Sequence, residues 1–406
     1  MNLLYNTRIK VFSEEQKLVV GIVCEYNPFH NGHKLQIDYA KNILKADAVV
    51  VAMSGNFTQR GELACFDKYT RAEAALKCGV DIVLEIPTIF ATASAREFAA
   101  AGVELLASTG VVDTVLFGAE CDDVNLFKGC ATKLVELENS GKLDEDIKIS
   151  LSTGLSYALA RSKALEAYIP ADLINSPNNI LGLEYCRYIK ENNLSMDIAI
   201  IKRQGNDYNE TALSGDLSSA SAIRAHLNET DMIWAVPDIA KAIYENNTHL
   251  NCDDVSQLLH YKLLSENDYE KYLDCTFDLA DRIRNNLKDY VNFSQFCDLL
   301  KTKNIAYSRI SRVLCHILLN ITQKDFKNAK SHGYISYLRM LGFSKKGAEY
   351  LGKIKEKGTV PLITAPTEII NSHDIFAADV YRAVMTSKTG KARDNEYTRK
   401  FNLTNL

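Results

Sequence analysis

The strongest constraint on this chain is a series of short, almost continuously apolar and β-branched segments spaced through its first half. Residues 18–24, 48–53, 81–86, 111–117 and 198–201 have this strand character, while 33–44, 68–77 and 94–108 place apolar residues three and four apart, as helices do. A strand that is apolar on both faces has to be covered on both faces. Helices between successive strands supply that cover, so the pattern predicts an α/β fold with a parallel sheet. Sheets of this kind bind ligands beyond the carboxyl ends of their strands.

Beyond about residue 225 the strand-like runs stop. From residue 231 the spacing is helical, as in SRISRVLCHILLNIT and YISYLRMLGF, and a mainly α-helical domain is expected over 231–386 after a first domain over 17–230. Residues 358–363 and 368–376 suggest a short strand and a further helix. The mixed residues 1–16 read as a peripheral extension, and the polar residues 387–406 as a loosely ordered tail. Ten scattered cysteines include no CxxC pair, and no apolar leader or membrane-length apolar run is present. That usage fits reduced thiols in the cytoplasm, with neither a structural metal site nor a membrane span expected.

The net charge of −4 argues against a chain coated in nucleic acid, yet it hides an asymmetry. Residues 301–350 carry ten Lys or Arg against only Asp325 and Glu349. Arg309, Arg312, Lys324, Lys327, Lys330 and Arg339 are therefore candidates for a surface that docks a phosphate backbone, with Tyr307, Tyr334 and Tyr337 as stacking partners. A solvated basic helix face, with the tyrosines half-buried, is the competing explanation.

The most informative local signal is GIVCEYNPFHNGHKLQ, residues 21–36. A buried strand runs into a proline-containing turn, and His30-Asn31-Gly32-His33 then opens a helix. Two imidazoles three apart lie side by side on a first helical turn, where free backbone N–H groups and the helix dipole favour phosphate. Gly32 leaves room for a nucleotide to approach the backbone. This arrangement suits stabilisation of an α-phosphate under attack while pyrophosphate leaves, and His30 and His33 are the candidate catalytic donors. A structural histidine pair is the alternative. A second candidate phosphate motif is LSSASAIRAHL at 217–227, where Ser219, Ser221 and Arg224 would hold the β- and γ-phosphates; hydroxyls that merely cap a helix are the slightly favoured reading of the serines alone, and the motif's distance from the first, with all the strands between them, tips the balance.

EYNPFHNGH, then MSGNFTQRGELACFDKYTRAEAAL at 53–76, DIVLEIP at 81–87, FGAE at 117–120, SPNNILGLEY at 176–185, IKR at 201–203 and SSASAIR at 218–224 together resemble the ordered motifs of the tRNA(Met) cytidine acetate ligase family, within the HxGH-type nucleotidyl transferases. The resemblance is dense over 18–230 and thinner to about 345. It implies a Rossmann-like nucleotidyl transferase domain and a two-step reaction. Acetate attacks the α-phosphate of ATP to give acetyl-adenylate and pyrophosphate. The N4 amine of the wobble cytidine, position 34 of elongator tRNA(Met), then takes the acetyl group and releases AMP, giving N4-acetylcytidine. Mg²⁺ would enter only with ATP, and neither DNA nor a membrane is an expected partner.

Carried over by motif, the resemblance implies that Val23, Cys24, Glu25, Tyr26, Asn27, Pro28, Phe29, His30, Asn31, Gly32, His33, Lys34, Leu35 and Gln36 wrap ATP. Gly118, Asn178 or Asn179, and Arg203 complete the pocket, with Asn178 preferred. Gly118 and Arg203 also stand at ends of apolar strands, where a turn glycine and an exposed arginine are the plain alternatives. After IKR the family's Gly-rich turn is replaced by QGNDYNE, which bears on Tyr208 as a contact but not on Arg203. The loop after the second strand offers Asn56, Gln59, Arg60, Asp67, Lys68 and Arg71 for acetate or the cytidine, since a carboxylate wants a cation and a base wants amide-type partners. Loop solvation accounts for each of them singly. A small-molecule adenylyl or cytidylyl transferase of the same fold is the second reading, and the basic stretch disfavours it.

Overall fold

The computed structural model describes residues 17–155, 157–203, 218–227 and 235–399. The N-terminal extension and Tyr208 lie outside these residues. Seven described strands form one sheet in the order β5-β4-β1-β2-β3-β6-β7. They are β1 (Val19–Cys24), β2 (Ala48–Ser54), β3 (Ile82–Ile86), β4 (Thr114–Ala119), β5 (Asp197–Lys202), β6 (Leu338–Phe343) and β7 (Leu362–Ile363). The first five are mutually parallel, as expected from their two-sided apolarity, and each coincides with one of the apolar runs. The chain runs outward from β1 through β2 to β3 and then crosses back to β4 on the other side of β1. The topological switch point is therefore at the carboxyl ends of β1 and β4.

Helices cover both faces. On one face α1 (Asn31–Asp38), the π-helical turn that continues it (Tyr39–Ile43) and α2 (Lys68–Lys77) bury Ile37, Ala40, Ala72 and Ala75 against Val20, Ile22, Val51 and Met53. On the other, the helix Ala95–Ala107 packs on Val50, Ala52 and Leu84. Apolar residues of the C-terminal helices, among them Leu259, Leu279, Phe296 and Leu314, belong to that second core as well. Among the described residues no helix is long and apolar enough to cross a membrane.

The helical reading of YISYLRMLGF is corrected, because Leu338–Phe343 forms β6 and pairs antiparallel with β3. Its apolar residues are three and four apart by coincidence. In the fold Met340 enters one core and Leu341 the other, the signature of a strand buried on both faces. The tail also departs from expectation, since Glu396 is buried and joins Lys68, Tyr69 and Arg339.

Candidate active site

The His30–His33 pair opens α1 as predicted, but by a different device. His30 is the N-cap in extended backbone, and its Nδ1 accepts the Gly32 N–H at 3.1 Å. His33 Nδ1 in turn accepts the His30 N–H at 3.2 Å, so two imidazoles do the work usually done by a hydroxyl and a carboxylate. The rings stack with centroids 3.7 Å apart. With both Nδ1 atoms accepting, each neutral ring carries its proton on Nε2. Burial, followed by the charges of Arg203 and Arg224, pushes the His30 pKa down to about 3. Burial, His30 and Arg203 likewise hold His33 well below its usual value. Both are neutral Nε2–H donors.

The expectation of free backbone N–H groups at this turn is corrected. The Asn31 N–H donates to Ala235 O, Gly32 to His30 Nδ1 and His33 to His30 O. The rings, rather than the backbone, are left to meet a ligand. Gly32 has a second purpose too, because a Cβ there would stand 2.9 Å from His30 Cε1. Tyr26, at a left-handed φ of 47°, places its ring 4.7 Å from that of His33, and Phe29 packs behind both. The Phe29 N–H donates to Tyr244 Oη, so a helix from beyond residue 235 props the turn.

Other motif residues converge on this turn. Arg224 donates from Nη1 to Asn27 O at 2.7 Å and from Nη2 to Ser221 Oγ at 3.2 Å. Ser219 caps the short helix Ala220–Ala225 by accepting the Ala222 N–H. Arg203 is exposed at the end of β5; its N–H donates to Ala119 O, its stem passes beside Gly118, and its charge acts on both histidines. Asn179 is buried with both ends of its amide engaged, accepting the Glu120 and Cys121 N–H groups and donating to Asp172 O. Asn178 is the more exposed of the two and holds Glu120 Oε1 at 2.6 Å.

Several residues of 23–36 serve the scaffold. Val23 fills the space over Gly102, Cys24 is buried, and Asn27 Oδ1 accepts the Cys65 N–H. Lys34 pairs with Asp38, Leu35 is exposed, and Gln36 Nε2 donates to Leu116 O. Glu25 Oε1 accepts the Gln59 N–H at 2.6 Å. Of the candidates that follow β2, Arg71 stands on α2, fully buried, and donates to the carbonyls of Glu25, Ser54, Gly55 and Phe66. That leaves it a brace between strand ends. Lys68 is buried with Glu85 at 2.8 Å and Glu396 at 2.9 Å. Asn56 Oδ1 accepts the Lys68 N–H, Asp67 caps α2, and Gln59 Nε2 donates to Ala93 O. Gln59 and Arg60 remain half-exposed, and the Arg60 charge acts on Glu25.

A family model described as HIGH Nucleotidyl Transferase matches residues 18–396. The chain is 35% identical over 383 residues to the tRNA(Met) cytidine acetate ligase of Clostridium perfringens, covering 89% of this chain and 94% of that one. It is 36% identical to that of Clostridium kluyveri, covering 89% and 92%. The fold superposes on Thermotoga maritima TmcAL bound with alpha-thio ATP with a TM-score of 0.86, at 28% identity, covering 96% of this chain and 100% of that one. Against the apo form of the same protein the TM-score is 0.82, at 30% identity over 91% and 94%. The chain belongs to the tRNA(Met) cytidine acetate ligase family.

The residues expected to give this family member a basic face do not all share one surface. Lys324 and Lys327 are exposed, while Lys330 is exposed but pairs with Glu97 at 2.8 Å. Arg309 is half-buried and donates to Asp274 O, and Arg312 is mostly covered beside the Asp274 carboxylate at 3.7 Å. Arg339 is corrected outright: it lies on β6, 2% exposed, within the Lys68 cluster. Tyr334 packs on Phe90 and Tyr188 with its hydroxyl donating to Glu97, and buried Tyr337 donates to Asp374, so neither presents a ring for stacking. Sequence reasoning missed Glu85 and Glu396. An acid inside the otherwise apolar IVLEI was the available signal for Glu85, whereas nothing local marked Glu396.

Proposed function

We propose that this protein is an ATP-dependent acetate ligase that acetylates N4 of cytidine 34 in elongator tRNA(Met). Acetate attacks the α-phosphate of ATP, pyrophosphate leaves, and the acetyl-adenylate passes its acetyl group to the cytidine amine with release of AMP. The observation that carries this reading is the stacked, neutral His30–His33 pair at the sheet's switch point, with both ring protons on Nε2. Two aligned donors in a desolvated setting meet charge as it grows on the phosphoryl oxygens, which is worth far more there than in water. Arg203 and Arg224 flank the pair and supply the positive charge that neutral imidazoles lack.

In this reading Gly118, Asn178 and Arg203 border the nucleoside, and Ser219, Ser221 and Arg224 border the β- and γ-phosphates, with Mg²⁺ carried by the triphosphate. Gln59 and Arg60 stand nearest to the acceptor, and Lys324 and Lys327 meet the tRNA backbone. A tRNA substrate makes the cytoplasm the place of action. Family membership over 89% of the chain favours this over transfer to a small molecule. The test is ATP–pyrophosphate exchange with and without acetate, followed by mass spectrometry of nucleosides from tRNA incubated with labelled acetate. Acetate-dependent exchange and labelled N4-acetylcytidine are expected; exchange indifferent to acetate would overturn the reading.

A further inference from the structure

The two steps of this reaction have different proton requirements. Acetate is already a carboxylate at neutral pH and attacks phosphorus without losing a proton. The exocyclic amine must lose one as its C–N bond forms, and that proton needs an acceptor. Neither imidazole at the start of α1 can take it. Each Nδ1 already accepts a backbone N–H, and each Nε2 already carries the ring proton.

One carboxylate stands at the same strand end. Glu25 directly follows β1, is half-buried, and lies five residues ahead of His30. Its Oε1 is pinned by the Gln59 N–H at 2.6 Å, which ties it to the loop after β2. Its own carbonyl is gripped by Arg71. The charged groups around it are Arg224 from the helix Ala220–Ala225, Arg60 from the loop and Arg71 from α2. Arg224 acts on His30 as well, so carboxylate and imidazole share a neighbour. Burial raises the Glu25 pKa, and the Gln59 N–H and the three guanidiniums oppose the rise without cancelling it, which makes this carboxylate a better proton acceptor than an exposed one.

We infer that Glu25 is the general base of acetyl transfer, receiving the amine proton as the cytidine attacks. The role rests on the reading of the preceding subsection and adds the residue that completes its second step. The amine nitrogen bonds to the acetyl carbon, and the bond from that carbon to the phosphate oxygen breaks. AMP departs with the electron pair. One amine proton passes to the free oxygen of Glu25 and on to water; the other stays on the amide.

Glu25→Gln is the decisive variant because it keeps an oxygen for the Gln59 N–H and removes only the ionisable group. With full-length protein, acetate-dependent ATP–pyrophosphate exchange reports the first step. Single-turnover transfer of labelled acetate to a tRNA(Met) transcript reports the second. The ratio of transfer to exchange should fall about 100-fold. Wild-type transfer should lose rate toward acid pH and Glu25→Gln should lack that acid limb, while Glu25→Asp should recover part of the ratio. An unchanged ratio in Glu25→Gln, or an acid limb that persists in it, overturns the assignment. A wild-type protein with no acetate-dependent exchange overturns the underlying reading and this role with it.

Discussion

Two polar regions lie side by side at the carboxyl edge of the sheet and solve burial in opposite ways. At the end of β1, His30 and His33 are kept neutral by burial, with flanking cations, and their capping bonds use Nδ1 and leave the ring protons on Nε2. Two strands away, at β3 and β6, Lys68 and Arg339 are buried as full charges against Glu85 and Glu396. The first region keeps its donors ready for a ligand. The second opposes charge with charge and thereby holds the antiparallel strand and the C-terminal segment to the sheet. Neutralisation suits a site that must greet a polyanion, because an ion pair would compete with it, whereas a buried charge without its partner is strongly destabilising.

The largest expected effect separates the two directly. His33→Ala should slow acetate-dependent exchange about 100- to 1000-fold, the typical loss for one preorganised donor. Its thermal stability should change by only about 1 kcal/mol, the scale of a lost helix cap. Glu85→Ala should do the converse. It leaves Lys68 without its closest buried partner, and the denaturant midpoint should report a loss of about 3–5 kcal/mol. A severe stability loss in the first variant, or none in the second, breaks the comparison.

Gly32→Ala sharpens it. The added Cβ meets His30 Cε1 at 2.9 Å, so exchange should fall roughly 10- to 100-fold through a displaced ring, with the melting temperature unchanged or slightly higher from alanine's helix propensity.

The smallest effect is in pH. Burial alone would raise the Glu396 carboxyl, but Lys68, with Tyr69 and Arg339, outweighs it and lowers the pKa below 4.5. The unfolded chain therefore takes up a proton first as pH falls. Stability from this group is present above about 4.5 and is lost through the lower folded value. Melting temperatures of wild type and Glu396→Gln should differ at pH 7 and converge in acid. A gap that widens there would contradict the pairing.

The parallel strands and the imidazole pair were legible in the sequence because each is a local pattern: apolarity on both faces in one case, and an HxGH spacing after a strand in the other. The β6 strand was hidden because Leu338, Met340 and Leu341 are too few to distinguish a helix from a doubly buried strand. The closed backbone valences of α1 were invisible, since they depend on how His30 folds back onto Gly32. Arg71 and Lys68 looked like loop cations, and only the fold shows four carbonyls on one and two carboxylates on the other. Glu396 escaped because it meets Tyr69 across 327 residues and Arg339 across 57.

The central claim is the neutral, Nε2-protonated state of the pair. A nitrogen-detected NMR titration of imidazole-labelled protein, with His30 and His33 assigned by single substitution, tests it most directly. Both rings should keep an unprotonated Nδ1 and a protonated Nε2 from pH 8 to below pH 5, with His30 titrating only near 3. Either ring gaining its second proton near the ordinary value of 6.5 would contradict the account.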